Sequence, residues 1–176
     1  MVEAAGRIVQ KAGIGALSMA ELSRELGRQR FELAPYINKD EDILILLLHS
    51  LEDEITQRVS DVVAKSQSPK DKLQNIFETL YDLFGQKPYY LSIIFSTELV
   101  EKYSAVQKIL VRIKSIAKIH LVNIINDGRK EEHFITNRST KNLINNIIGS
   151  FRSFMNEQWV IDKMVREIEL LKDVRD

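Results

Sequence analysis

The chain has no cysteine. That excludes a disulfide framework and any Cys-ligated zinc or iron–sulfur site, and it fits a reducing compartment. Prolines number three and glycines seven in 176 residues, so few elements are interrupted. No excess charge of either sign is present: 25 Lys and Arg balance 25 Asp and Glu. A chain that binds nucleic acid therefore has to do so through a locally basic edge, since the whole is not basic. Long apolar runs are missing as well. The run ILILLL (43–48) falls far short of the roughly 18 residues needed to span a bilayer. Three acids precede it and His49 follows, which reads as a buried central helix. The N-terminus lacks the uninterrupted apolar core of a secretory signal, so no membrane partner is expected.

Catalytic signatures are absent too. Histidines 49, 120 and 133 are widely spaced and form no H-E-x-x-H pattern, and there is no glycine-rich phosphate loop or nucleophile elbow. The acid pairs Glu52–Asp53 and Glu131–Glu132 read as solvated faces. The expectation is a protein that is not an enzyme, with no catalytic residue, metal or cofactor.

What is present is helix. Residues 2–12 place Val2, Ala5, Ile8, Val9 and Ala12 on one face, and Gly13 and Gly15 close that segment. Ser18 followed by Glu21 is a capping box, and Leu17 with Leu22 supplies a hydrophobic staple. Both signals start a helix over 19–26, and Gly27 suits the left-handed residue just past its end. A third short helix follows from Arg28, with Phe31, Ala34 and Ile37 at i, i+3 and i+6 and Leu33 and Ile37 at i, i+4. Pro35 should stop or bend it near Ala34. Asn38 is a plausible cap, and Asp40, Glu41 and Asp42 complement the dipole of the next helix. Longer helices are expected over 39–65, 70–85, 88–101, 104–128, 139–157 and 160–173, with RKEEHFITNRS as a polar loop. No strand signal or internal repeat is found; the fold class is all-α.

Two short helices joined through a glycine turn and packed on a first helix form a helix-turn-helix, whose second member enters the major groove. Arg28, Gln29 and Arg30 stand at the N-terminal end of that member. Arginine can bond bidentately to guanine and glutamine to adenine, and Glu32 can accept from cytosine. Ser18 and Lys39 stand at helix starts, where phosphate contacts form. Residues 17–39 hold Arg24, Arg28, Arg30 and Lys39 against Glu21, Glu25 and Glu32, four cations to three acids and a net of +1.

The chain resembles the TetR family of bacterial transcriptional regulators. ALSMAELSRELG (16–27) looks like the family's helix 2, NKDEDILILLL (38–48) like the start of its helix 4, and VEAAGRIVQKAGIGALSM like helix 1 and its approach to helix 2. IINDGRKEEHF (124–134) and IIGSFRSFMNEQW (147–159) are similar to late segments of the family's second domain. Four features differ from the family pattern. Phe31 stands where a small residue is usual, Ala34 and Pro35 where a tyrosine is usual, and Asp40 where a lysine is usual. The sequence also starts inside helix 1, without the basic arm that often precedes it. Tyr36 is the aromatic left to contact phosphate.

The resemblance implies a helix-turn-helix DNA-binding domain over 1–45 and a domain of five or six helices for ligand binding and dimerisation over 46–176. Its partners would be double-stranded DNA, a small-molecule effector and a second copy of the chain, in the bacterial cytoplasm. Apolar pocket residues are available in Phe77, Leu80, Tyr81, Phe84, Tyr89, Tyr90, Phe95 and His120. The last two helices carry more apolar surface than one-sided packing needs: Leu143, Ile147, Phe151, Phe154 and Met155, then Ile161, Met164, Val165 and Ile168. Gly149, Ser150 and Ser153 permit close helix approach. The function expected is a ligand-responsive repressor, dimeric on a palindromic operator. The alternative is a helical ligand-binding or protein-interaction module of the same fold with weak or lost DNA binding, which Phe31, Pro35 and the neutral charge favour.

Overall fold

The computed structural model describes residues 1–132 and 137–173, with the side chains of 160 and 162–173 left out of the description. Among the described residues there are nine α-helices, one 3-10 turn and no strand. The order is α1 (Val2–Ala12), α2 (Met19–Leu26), α3 (Arg30–Leu33), α4 (Asp40–Lys65), α5 (Pro69–Gln86), α6 (Tyr89–Ile94), α7 (Thr97–Lys102), α8 (Ser104–Lys130) and α9 (Thr140–Asp173). The 3-10 turn Ile14–Ala16 leads into α2.

The start of α2 follows from its cap. The Ser18 hydroxyl accepts from the Glu21 N–H at 3.3 Å, and Leu17 and Leu22 are both buried. Gly27 ends the helix at φ 62°, with its own N–H on the Arg24 carbonyl and the next N–H on Ser23. Only glycine takes that backbone without a steric penalty. Pro35 stops α3 after a single turn, as its missing N–H requires. Serines 68 and 96 cap α5 and α7, and Pro69 occupies the first turn of α5, where its missing donor costs nothing.

Helix α4 is the spine. Ile43, Leu44, Leu47, Leu48, Leu51, Ile55 and Val59 are buried along it, a stripe of helical period. It packs on α1, α5, α6 and α8, so the apolar run ILILLL is core. Each such side chain contributes about 1.5–3 kcal/mol of burial. One continuous apolar cluster runs from Ala4 in α1 to Met155 in α9. A smaller cluster of Leu121, Ile125 and Ile144 joins α8 to α9.

Several expectations are corrected. The segment 88–101 is two helices, because Phe95 leaves helical geometry and Ser96 caps a new start. The two helices expected over 139–157 and 160–173 are one, α9; no glycine or proline lies in 156–162 to stop it. Helix α8 continues through Gly128 to Lys130. Phe31 and Ala34 do not join Ile37 in the core. Leu33 and Ile37 are 3% and 2% exposed, whereas Phe31 is 75% exposed. Glu52 is not a solvated acid. It accepts from the Arg112 guanidinium at 2.8 and 2.9 Å, tying α4 to α8, and that hydrogen bond holds its carboxyl below the usual range. His133 lies outside the described residues.

Candidate functional site

Two regions of the chain concentrate chemistry. The first is the end of the molecule formed by α1, α2 and α3. Helix α2 packs on α1 and α3, and Arg7 Nε donates to Glu25 Oε1 at 2.6 Å, fastening α1 to α2. That bond lowers the Glu25 pKa. With Leu33 buried, α3 turns its other side outward, and Arg28, Gln29, Arg30, Glu32 and Tyr36 are all exposed.

Their partners divide them. Glu32 folds back: its carboxylate accepts from the Gln29 N–H at 2.7 Å and from Arg28 Nη1 at 3.4 Å. Arg24 pairs with Glu21. Lys39 pairs with Glu41, and that contact raises the Lys39 pKa. Arg30 alone of these cations makes no side-chain hydrogen bond or ion pair among the described residues. Ser18 is half-buried with its hydroxyl on the α2 cap. The α2 N-terminus holds a further acceptor, since Asp40 Oδ1 takes the Met19 N–H at 2.8 Å. Sequence spacing gave no sign of that bond, which spans 21 residues. Asp42 receives the N–H groups of Asn38 and Lys39 at 2.9 and 3.1 Å, fixing the turn between α3 and α4.

The second region is a cavity of about 420 Å³ lined by α4 through α9 and open to solvent on one side. Its walls are almost wholly apolar, with Ile55, Leu80, Leu91 and Leu110 among them. Of the residues singled out from sequence, Phe77, Leu80, Phe84, Phe95 and His120 line it. Tyr81, Tyr89 and Tyr90 lie elsewhere. Tyr81 is exposed and packs its ring 5.9 Å from Phe154. Tyr89 turns toward Gly6 of α1. Tyr90 is fully buried, with its hydroxyl donating to Ser50 Oγ at 3.4 Å. The two tyrosines begin α6 on the side facing α1 and α4, away from the cavity that Leu91, Ile94 and Phe95 reach. The charged lining consists of Glu101, Lys114 and Arg152, all exposed. Arg152 stands over the Phe95 ring, 6.0 Å from its centre. Lys114 and Arg152 carry no signal in the sequence, because they come to one mainly apolar wall only when α8 and α9 are side by side.

Helix α9 serves the cavity as well as the surface. Ile147, Phe151 and Met155 line the cavity, and Leu143 packs on the smaller cluster. Phe154 and Ile161 are 50% and 54% exposed. The side chains of Met164, Val165 and Ile168 lie outside the described residues. Val111 and Ile119 of α8 are also exposed, and Val111 stands at the cavity as well.

No protein-family model and no curated protein matches the sequence. Solved structures do match. A TetR transcription regulator from Haloarcula marismortui superposes with a TM-score of 0.81 at 16% identity, over 92% of this chain and 85% of that one. The transcriptional regulator FadR from Bacillus subtilis, in complex with stearoyl-CoA, gives 0.77 at 17% identity, over 93% and 87%. The fatty acid degradation regulator FadR from Bacillus halodurans gives 0.78 at 14% identity, over 93% and 83%.

The chain has the TetR fold.

Within that fold α1–α3 are the helix-turn-helix end and α4–α9 line the cavity. No group of three His, Asp or Glu that could hold a metal occurs among the described residues, and no described helix is long and apolar enough to cross a membrane.

Proposed function

We propose that the protein is a ligand-responsive transcriptional regulator that binds duplex DNA as a homodimer and represses from a palindromic operator. Residues 1–45 would form the DNA-binding domain, and 46–176 the domain for ligand and dimer. The observation that carries this reading is the presence of an outward cationic edge and a partly open apolar cavity in one TetR-fold chain. Arg30 is exposed and unpaired among the described residues, beside Arg28 and Gln29 at the start of α3. An unpaired guanidinium meets guanine without first breaking an intramolecular bond. Tyr36 and Lys39, with Ser18, would serve the phosphates.

The effector this cavity suits is a molecule with an apolar chain and an anionic end. The chain would fill the Leu- and Phe-lined volume, and Lys114 and Arg152 would meet the anion. Stearoyl-CoA, present in the Bacillus subtilis FadR structure, has that chemistry, and fatty acyl thioesters are the first class to test. Helix α6 gives the effector a route to α1, because Leu91, Ile94 and Phe95 line the cavity while Tyr89 packs on Gly6. Release would follow from a change in the spacing of two recognition helices, roughly 34–36 Å or a multiple in the bound state. An effector shifts that spacing only by binding the two arrangements unequally.

The dimer would form through α8 and α9. Among the described residues, Phe154, Ile161 and Ile119 are exposed apolar side chains there, with Val111 at the cavity mouth, and Gly149 has open space around it.

The second reading, a module of this fold without operator binding, is favoured by the back-folded Glu32 and by Asp40 at the start of α2. One experiment separates the two. Duplexes selected from a random pool by the wild-type chain should converge on a palindrome, and Arg28→Ala/Arg30→Ala should lose them. Affinity should fall steeply with salt, as counterion release demands. No enrichment, or affinity flat in salt, would leave only the second reading.

A further inference from the structure

Phe31 is the most exposed large apolar side chain described, at 75%. Its orientation is set by the core. Successive helical residues are turned by about 100°, so Leu33 lies about 200° round α3 from Phe31. Leu33 is 3% exposed and anchors that side inward; Phe31 therefore points straight away from the domain. On one flank it has Arg30, and one turn on it has Ala34, also exposed. Burial within the chain does not account for a phenyl group held in water at this point.

We infer that Phe31 is a base-reading residue that contacts the 5-methyl group of thymine in the major groove. This rests on the DNA-binding reading above and adds a specificity determinant to it. Among the groups a base pair presents in that groove, the thymine methyl is the one apolar group, and apolar side chains read it. A phenyl ring offers no hydrogen bond, so it does not compete with Arg30 or Gln29 for donors and acceptors. It adds discrimination at an adjacent step instead. Ala34 leaves room beside the ring for a base edge to approach.

The test begins with the duplex selected by the wild-type chain. Each thymine in one half-site is replaced in turn by deoxyuridine, which removes only the methyl group. One replacement should weaken wild-type binding roughly three- to tenfold. Phe31→Ala should bind the thymine duplex more weakly by a similar factor and make no distinction between thymine and uracil there. Phe31→Leu should keep most of the distinction. Thermal unfolding of Phe31→Ala should match the wild type, because the side chain is not part of the core. If every uracil replacement affects wild type and Phe31→Ala equally, the inference is overturned while the DNA-binding reading stands. If no duplex is selected at all, both are overturned.

Discussion

The ring of Tyr89 lies directly on Gly6. A Cβ built on that glycine would come within 2.6 Å of the ring, closer than packed atoms tolerate. Gly6 is thus the point where α1 meets α6, and it is small because an aromatic ring fills the space. Gly6→Ala should destabilise the fold by about 1–3 kcal/mol, the usual cost of overpacking. Gly85→Ala is the control: it is helical with nothing within 4 Å, and it should gain up to about 1 kcal/mol. Urea denaturation of both variants checks the pair. A neutral Gly6→Ala would show that α6 is free to move off α1.

Glu54 receives Lys87 at 2.8 Å and Arg58 at 2.7 Å. Burial by itself would raise its pKa, but the hydrogen bonds from Lys87 and Arg58 outweigh it and the net shift is downward. A carboxyl whose folded pKa is depressed adds stability that is fully present above its unfolded value, about 4.3, and is lost as pH falls through the folded one. Unfolding midpoints should therefore be flat from pH 7 to about 5 and fall below it. Glu54→Gln should cost about 1–2 kcal/mol at pH 7 and flatten the acid limb. An unchanged acid limb would place the effect on other carboxyls.

Asp40 occupies the α2 N-terminus, where a phosphate oxygen would otherwise accept the same N–H. Asp40→Asn keeps an oxygen acceptor and removes the charge. On the DNA-binding reading it should tighten duplex binding about two- to fivefold at low salt. Fluorescence anisotropy across a salt series measures this, and weaker binding would mean that Asp40 orders the helix pair more than it repels the backbone.

Gly149→Ala tests the proposed dimer. Nothing lies within 4 Å of this glycine in the protomer, and Ala is the better helix former. Folding of the protomer should not suffer, while a dimer that brings α9 close to its copy should dissociate more readily. On the proposed dimer, Phe154→Asp should raise the dissociation constant by at least about tenfold, since a charge would be buried in the contact. Sedimentation equilibrium at several concentrations reports both.

For the effector, Arg152→Glu and Lys114→Glu should weaken binding of acyl thioesters about tenfold or more, and leave uncharged long-chain alcohols nearly unaffected. Equal losses for both would place the anionic end elsewhere in the cavity.

The helix-turn-helix end was legible because its signals are local. Ser18, Leu17, Leu22 and Gly27 act on neighbours within a few positions, and α2 begins and ends where they say. A single turn of helix satisfies two apolar alignments equally, through Phe31 or through Leu33, and burial of Leu33 chooses between them. The expected break of α9 between 157 and 160 falls at Gln158 and Trp159, neither of which stops a helix. The cavity wall was half readable. Phe77, Phe84 and Phe95 follow helical spacing, but which side of α6 faces the cavity depends on α1, and no pattern within 88–95 encodes that. The bonds from Asp40 to Met19 and from Glu52 to Arg112 span 21 and 60 residues and leave no trace in local periodicity.

Helix α3 has four residues, and at 1.5 Å each it rises about 6 Å, less than two steps of a duplex at 3.4 Å apiece. So short a reading head, used once, distinguishes too few letters to mark a single address in a genome of millions of base pairs. On the DNA-binding reading, selectivity would come from counting two such readings at a fixed interval, so that the distance between heads would carry as much information as the heads themselves.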